Sequence, residues 1–375
     1  MKLLALLLIA LPLCASAGES QFASRLAIGE TRNRGMVFAV VPDIQNYCAS
    51  WDPSADSNPP AADRADGIRQ LELMVRDIID ERVEFVLQVG DIADTMGGVD
   101  ENGNAGYLDD PNNFTANFAR YDGELQCSYD HFFKLLRAAN IPVLWVAGNH
   151  DSCVDLERIM PVSLFRLFSY YSADQSRAAR CSAAALVDTM QRSALFSTTI
   201  GPICAVGGRY NGPENDATDI AWVNGAVGCG AGHPTILMNH NGVGFETATY
   251  GGAANDEVFM GVHGHTVPLG LVVSDLTASG GHELYKVGVN YQESSRNCQG
   301  FPIPQDPGAA MHTGVGAWAR IRLVPETSSF DIQVRMAVFG GTATRPTCSY
   351  NANPANGTYV FSPTLCSRFP SMGGC

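Results

Sequence analysis

The sequence predicts an α/β protein, and three observations support that fold class. Five apolar runs have the length and composition of buried strands, and each ends in a polar cluster. Between residues 36 and 150 these runs alternate with helical patterns, which implies parallel pairing of the strands. After residue 257 one strand pattern follows another, which indicates antiparallel pairing.

The five apolar runs lie far apart in the chain. They are MVFAVVP (36–42), FVLQVG (85–90), PVLWVAG (142–148), PTILM (234–238) and EVFMGV (257–262). An apolar face recurring at helical spacing predicts a helix over about 61–81, and a second helix is expected over about 128–139. Residues 152–200 break the alternation and are predicted to be helices inserted over the sheet.

The polar clusters that end these runs are rich in Asp, Asn and His. They are Asp43-Ile44-Gln45, Gly90-Asp91-Ile92-Ala93-Asp94, Gly148-Asn149-His150-Asp151, Asn239-His240-Asn241 and His263-Gly264-His265. Ligands of open α/β sheets gather just beyond the carboxyl ends of the strands. We therefore expect the five clusters to converge on one site.

The first residues have the pattern of a secretory signal peptide. A basic start at Lys2 precedes an apolar run, and Ala15-Ser16-Ala17 forms a small-residue cleavage site before Gly18. No later segment approaches 18 continuous apolar residues, so no transmembrane anchor is expected. The sequence thus predicts a secreted protein, extracellular or periplasmic.

Cysteine use agrees with an oxidising compartment. Of the 11 cysteines, Cys14 falls within the predicted signal peptide. The even number that remains favours disulfides, whose connectivity stays open. The tail after Gly340 is rich in Pro, Thr, Asn and Cys and is predicted to be held by disulfides.

The formal net charge of −14 argues against a long nucleic acid as partner. An acidic surface repels phosphate backbones, and the sequence contains no run of Lys and Arg. A small phosphorylated substrate would need a local positive centre, and bound metal ions can supply one.

In their order, the clusters resemble those of the calcineurin-like metallophosphoesterases. The shared features are D-x-[H/Q], GDxxD, GNHD, an isolated His after a strand, and HxH, and the resemblance covers roughly residues 36–335. It implies a four-layer α/β/β/α sandwich and metal-dependent hydrolysis of a phosphomonoester or phosphodiester. The implied domain is 18–340, after the signal peptide 1–17 and before a Cys-containing extension, 341–375.

The resemblance further implies a site for two divalent ions. Asp91 would bridge both ions. Asp43, Gln45 and His265 would complete the first metal, and Asn149, His240 and His263 the second. These oxygen and imidazole donors suit Mn, Fe, Zn or Mg, and such a pair activates water and clamps phosphoryl oxygens.

His150 is not needed as a ligand in that scheme. By resemblance, His150 assists protonation of the departing oxygen or stabilises the charge that develops on it, and Asp94 orients its ring and stabilises the imidazolium. Gln45 stands where a His is usual, and an amide oxygen is a weaker donor that favours Mn or Mg over Zn. The glycine within Gly261-Val262-His263-Gly264-His265 is also shifted from the usual pattern, so either His can belong to either ion.

Simpler interpretations of the same residues stay open. An Asp or Asn after a strand is often a turn former or a helix cap, and a single His such as His240 is often a buried polar residue. Gln45 suggests a degenerate metal- or phosphate-binding protein without turnover as an alternative function. A third alternative is a disulfide-rich interaction module that uses the Cys-containing tail.

Overall fold

The computed structural model describes ten stretches of the chain. They are residues 35–48, 61–92, 126–146, 192–207, 232–240, 257–264, 270–277, 283–290, 316–337 and 357–375. All of them belong to one compact unit, Gly35–Cys375. The predicted signal peptide 1–17 lies outside the described residues, and the domain boundaries at 18 and 340 stay predictions.

Twelve strands run through the described residues. They are β1 Met36–Val41, β2 Val86–Gln88, β3 Val143–Trp145, β4 Arg192–Thr198, β5 Gly201–Gly207, β6 Thr235–Asn239, β7 Val258–His263, β8 Gly270–Thr277, β9 Glu283–Asn290, β10 Gly316–Val324, β11 Ser329–Ala337 and β12 Gly357–Val360. All five predicted strands that precede the polar clusters are present, as β1, β2, β3, β6 and β7.

The helices of the described residues are fewer. They are α1 Gln45–Cys48, α2 Ala61–Asp80, α3 Lys134–Ala138 and α4 Leu365–Arg368. A π-helical stretch, Tyr129–Phe133, leads directly into α3, and Pro325–Thr327 forms a 3₁₀ turn. The predicted helix over 61–81 is therefore confirmed, and the one over 128–139 is confirmed with a π-helical start.

The strands form two sheets of six strands each. Sheet 1 has the order β12-β11-β10-β1-β2-β3, and sheet 2 has the order β4-β5-β6-β7-β9-β8. β1, β2 and β3 pair in parallel, as do β5, β6 and β7. The predicted α/β class with two sheets is confirmed. The polar clusters come at the carboxyl ends of five of these six strands, β1, β2, β3, β6 and β7.

Alternate residues of sheet 1 face two different cores. Phe38 and Val40 of β1 belong to a cluster that includes Met238 of β6 and Val262 of β7, so this core joins the two sheets. The residues between them face the helices, where Ala39 packs in a cluster with buried side chains of α2. These α2 side chains are Leu71, Met74, Val75 and Ile78. Their helical spacing and the two-residue period of β1 explain both layers.

The helical insert predicted over 152–200 is wrong at its C-terminal end. Residues 192–198 form β4, which pairs antiparallel with β5. Leu195 is exposed while Phe196 is buried, as the two-residue period of a strand requires. Phe196 stacks on Phe85 of sheet 1, and this contact between sheets overrides local helix propensity. The rest of the predicted insert lies outside the described residues.

Pairing after residue 257 is also less uniform than predicted. β10 and β11 pair antiparallel, and so do β8 and β9, as expected. β9, however, pairs in parallel with β7. β8 lies at the edge of sheet 2, and the chain then returns as β9 into the position between β7 and β8. A burial requirement on both faces decides this order, and a strand pattern by itself does not reveal it.

The tail segment, residues 357–375, ties the two sheets together. β12 extends sheet 1 through β11, while Arg368 Nη2 donates to the carbonyl of Val258 (2.7 Å) and Gly373 N to that of Ile200 (2.7 Å). A disulfide joins Cys366 to Cys375, which confirms the predicted disulfide-held tail. None of the helices described in the structure is long and apolar enough to cross a membrane.

Candidate metal centre

Four of the predicted site residues lie at the carboxyl ends of neighbouring strands. They are Asp43 and Asp91 in sheet 1, and His240 and His263 in sheet 2. In sheet 1, Val41 of β1 is in register with Gln88 of β2, and Asp43 and Asp91 follow these residues. In sheet 2, Asn239 of β6 is in register with His263 of β7, and His240 follows β6. The four side chains thus lie at the carboxyl ends of parallel strands, where the sequence placed them.

Three of these side chains form a buried cluster. One ligand atom each from Asp43, Asp91 and His240 lies within 4.8 Å of the others. His240 Nε2 is 3.2 Å from Asp91 Oδ2 and 3.7 Å from Asp43 Oδ1. All three residues are buried, with exposures of 4%, 1% and 0%. Two carboxylates and one imidazole are therefore withdrawn from water at the junction of the two sheets.

A strained turn presents Asp91 to this cluster. Asp91 has φ of +54° and Gly90 has φ of +99°, and Asp is one of the residues that tolerate the left-handed region. The buried amide of Gln88 holds the turn from both sides. Its Nε2 donates to the Gly90 carbonyl at 2.5 Å, and its Oε1 accepts from Gly90 N at 3.1 Å. The backbone carbonyl of Asp91 accepts from Ile44 N at 2.9 Å.

The backbone selects the tautomer of His240. Its Nδ1 lies 2.7 Å from the carbonyl oxygen of Val89, and a carbonyl can only accept, so Nδ1 carries a hydrogen. In the neutral ring the lone pair is then on Nε2, the atom that faces Asp91 and Asp43. This is the arrangement of metal-binding histidines, whose second nitrogen donates to a backbone carbonyl or a carboxylate.

Asp43 has an unsatisfied carboxylate. Among the described residues, neither of its two oxygens has a hydrogen-bond partner, although both are buried. Burial raises the pKa of Asp43; the charge of His240 lowers it, the charge of Asp91 raises it, and the pKa lies at about 8. Burial lowers the pKa of His240, but the carboxylates of Asp91 and Asp43 outweigh burial and raise this pKa to about 9.

Gly264 closes one side of the cluster. A Cβ atom at this position would lie 3.0 Å from Asp43 Oδ2 and 3.1 Å from the carbonyl oxygen of Val89. Its backbone amide donates to the carbonyl of His240 at 3.0 Å. A glycine here allows the end of β7 to approach the loops of Asp43 and Val89 closely, which explains the glycine between the two histidines of the last motif.

His263, the last residue of β7, is not part of the three-residue cluster. It is buried (4% exposed), and its Nδ1 lies 3.1 Å from the carbonyl oxygen of Gly264. As in His240, a carbonyl acceptor places the hydrogen on Nδ1, so the neutral ring has its lone pair on Nε2. The side chain of Gln45, at the start of α1, lies outside the described residues, as do Asp94, Asn149, His150 and His265.

Sequence reasoning missed the groups that hold the site together. They are the Gln88 amide, the Val89 carbonyl and the Ser128 hydroxyl, which donates to the carbonyl of Ile92 at 2.8 Å. Gln88 could have been found, because a Gln inside the apolar run FVLQVG must satisfy its amide in the core. The other two contacts join residues far apart in the chain and have no local signal.

Comparison with known families decides the affiliation of the chain. A family model described as calcineurin-like phosphoesterase matches residues 36–269, more than half of the sequence. The chain belongs to the calcineurin-like phosphoesterase family. The match begins at β1 and ends just before β8, so it includes every polar cluster of the predicted site.

Solved structures related to this calcineurin-like phosphoesterase are distant in sequence. A dimetal phosphatase from Danio rerio is 13% identical, with 81% of this chain and 97% of that chain covered and a TM-score of 0.42. A purple acid phosphatase from yellow lupin (Lupinus luteus) is 9% identical, with 83% and 53% covered and a TM-score of 0.40. A 5'-nucleotidase from Candida albicans is 12% identical, with 76% and 48% covered and a TM-score of 0.33. No curated protein sequence matches the chain significantly.

The donors of this calcineurin-like phosphoesterase fit a divalent metal ion. The family typically binds two such ions, and the cluster of Asp43, Asp91 and His240 is a possible metal site. Carboxylate oxygens and an imidazole nitrogen are donors that suit Mn, Fe, Zn or Mg. The oxygens of Asp43 fit as well, because a cation would satisfy them where no donor among the described residues does.

Proposed function

We propose that this protein is a secreted, dinuclear-metal-dependent phosphoesterase that hydrolyses a small phosphomonoester or phosphodiester. The single observation that carries the proposal is the buried cluster of Asp43, Asp91 and His240, in which Asp43 has no hydrogen-bond partner among the described residues. Burying two carboxylates side by side is costly unless a cation compensates them.

The proposed ligand set extends this cluster by the residues of the neighbouring motifs. Asp91 would be the ligand shared by the two ions, as the resemblance implies; its Oδ2 lies 3.2 Å from His240 Nε2, and Asp43 Oδ1 lies 3.7 Å from the same nitrogen. Asp43, Gln45 and His265 complete the first site, and Asn149, His240 and His263 the second. When bound, the two ions supply a water nucleophile at neutral pH and orient the phosphoryl oxygens.

The remaining steps belong to side chains of this chain. His150 protonates the departing oxygen, and Asp94 orients its ring and stabilises the imidazolium that forms. The backbone carbonyl of Val89 keeps the hydrogen of His240 on Nδ1, so Nε2 stays available as a ligand. The −14 net charge repels long nucleic acids and leaves small phosphorylated molecules as substrates.

Secretion is part of the proposal. It is supported by the pattern of the first 17 residues and by the disulfides, which persist in oxidising compartments. Expression of the full chain with a reporter of export, against a variant in which Leu7 and Leu8 are replaced by Asp, tests this part. Retention of the wild-type chain in the cytoplasm would contradict it.

Metal analysis joined to a substrate pair tests the function. Purified protein should hold about two ions per chain and should hydrolyse p-nitrophenyl phosphate or its bis ester. Asp91→Asn should reduce turnover by at least about 100-fold, because even outer-shell partners of metal ligands cost 10–100-fold. Asp275→Asn, an exposed site on β8, is the matched control and should keep wild-type turnover.

The same experiment separates the second candidate, a metal- or phosphate-binding protein without turnover. The presence of Gln45 in place of the usual His favours that candidate, since an amide holds the first ion more weakly. Bound metal with no hydrolysis of either ester would favour it over the enzyme. Neither metal nor turnover in the wild type would overturn both.

A further inference from the structure

Cys127 and Ser128, just before the π-helical stretch that leads into α3, contact the segments that follow Asp43 and Asp91. The loops of Asp43 and Asp91 are the two loops meant below. Cys127 forms a disulfide with Cys48, which ends α1 shortly after Asp43. Ser128 donates a hydrogen bond of 2.8 Å from its hydroxyl group to the carbonyl of Ile92, the residue directly after Asp91. Residues 48, 92, 127 and 128 are called the loop clamp below.

The loop clamp lies in the interior. Cys48 and Ser128 are both fully buried, and so is Ile92. Cys48 packs in the core cluster between sheet 1 and the helices, where Phe132 and Phe133 of the π-helical stretch also lie. The clamp is thus anchored to a packed helix, and it restrains two loops that are separated along the chain by the whole of α2.

The loop clamp opposes the electrostatic repulsion between the two loops. The two loops bring the carboxyl groups of Asp43 and Asp91 within 4.8 Å of each other, and these groups repel when both are ionised, the state in which carboxyl groups bind a metal ion. The backbone contact from Ile44 N to the Asp91 carbonyl, at 2.9 Å, is the direct link between the loops. The loop clamp adds two attachments from a third element, so the carboxylates are held together before a cation arrives.

We propose that Ser128 and the Cys48–Cys127 disulfide are positioning elements of the metal centre. They raise its metal affinity by preorganising Asp43 and Asp91. The inference rests on the proposed function, since it requires that these carboxylates bind metal. Outer-shell groups that orient metal ligands typically change metal affinity about 10- to 100-fold. A disulfide that only stabilised the fold would lower the melting temperature and leave the affinity for metal unchanged.

The tail segment offers matched controls at the other end of the sandwich. Met36, at the start of β1, is paired with Leu323 of β10, and Ser329, at the start of β11, is paired with Val360 of the tail strand β12. The tail strand therefore lies near the start of β1, whereas Asp43 follows the end of β1. The Cys366–Cys375 disulfide lies there, and so does the buried hydroxyl of Ser328, which accepts from Leu365 N at 3.0 Å. These groups resemble the loop clamp chemically, but they lie at the end of β1 opposite to Asp43.

The experiment measures the dissociation constant of Mn²⁺ by isothermal titration calorimetry on metal-stripped full-length protein, together with the melting temperature. The clamp variants are Ser128→Ala and the double variant Cys48→Ala/Cys127→Ala. The controls are Ser328→Ala and Cys366→Ala/Cys375→Ala. We expect the clamp variants to bind Mn²⁺ about 10- to 100-fold more weakly, while the controls bind as the wild type does.

Each outcome decides between the two proposals. Unchanged Mn²⁺ affinity in a folded Ser128→Ala variant would overturn the inference, as would equal weakening in clamp and control variants of equal melting temperature. Ser128→Ala keeps the disulfide, so it answers the question even where the double variant does not fold. A wild-type protein without measurable Mn²⁺ binding would overturn the proposed metal site itself, and the inference with it.

Discussion

The Nε2 atom of His240 lies 3.2 Å from Oδ2 of Asp91, although the two residues follow strands of different sheets. The opposite nitrogen of the same ring contacts the carbonyl of Val89 at 2.7 Å, in the loop that leads to Asp91. One imidazole thus joins the sheets and presents its Nε2 atom to two carboxylates. The contact between the sheets and the possible metal site are formed by the same ring.

Replacing this ring should abolish metal-dependent activity. We expect His240→Ala to lower turnover and Mn²⁺ affinity by at least about 100-fold, because it removes a proposed ligand and not only an outer-shell partner. His131→Ala is the matched control, since His131 pairs with Glu72 in a partly exposed contact outside the site. Steady-state kinetics and calorimetry measure both variants. Wild-type turnover in His240→Ala would contradict the assignment.

A single methyl group at Gly264 should disturb the site. Gly264→Ala places a Cβ atom about 3 Å from Asp43 Oδ2 and the Val89 carbonyl, so one of these groups must shift. We expect Mn²⁺ affinity to fall about 10-fold or more.

Gly357→Ala is the control for this change, because a Cβ there meets no atom within 4 Å. Mn²⁺ titration of both variants gives the comparison. Equal affinity in Gly264→Ala and the wild type would show that the loops yield without effect on Asp43.

The metal-free protein should become less stable as the pH rises. The pKa of Asp43 is raised from 3.8 to about 8 in the folded state, and that of His240 from 6.5 to about 9. Both groups therefore bind more protons folded than unfolded. Their contributions to stability are present below pH 3.8 and pH 6.5 respectively, and are lost as the pH passes 8 and 9.

Urea unfolding in the presence of a chelator, at intervals from about pH 6 to pH 9, measures this dependence. The free energy of unfolding should fall over that range, and Asp43→Asn should reduce the fall. Saturating Mn²⁺ should remove most of it, because the cation replaces the protons. A metal-free protein that gains stability between these pH values would contradict the prediction.

Gln88 should contribute to both stability and turnover. Gln88→Met keeps the length of the side chain but removes the two hydrogen bonds to Gly90, in a position without solvent exposure. Losing the partner of a buried backbone group costs about 1–3 kcal/mol. Because Asp91 directly follows Gly90, whose position Gln88 fixes, we also expect lower turnover.

Gln333→Met, at an exposed position of β11, is the control for Gln88→Met. Thermal unfolding and phosphoesterase kinetics measure both variants. A Gln88→Met protein with the stability and turnover of the wild type would show that other contacts hold the Gly90 turn.

Much of the fold was predictable because its signals are local. The apolar run before Asp43 and the helical period of Leu71, Met74 and Ile78 are properties of short segments, and they predicted β1 and α2 closely. The position of Asp91 and His240 after strands was equally local. A general rule about the carboxyl ends of parallel strands then brought these residues to one site.

The tertiary structure decided how those segments meet. It divided the strands between two sheets, made residues 192–198 a strand, and placed β9 beside β7. It also supplied the Val89 carbonyl for His240 and the Ser128 hydroxyl for Ile92. Periodicity and composition record what a residue needs from its neighbours in the chain. They do not record which distant group satisfies a buried donor or acceptor, because burial and hydrogen bonding across the core depend on the whole packed fold.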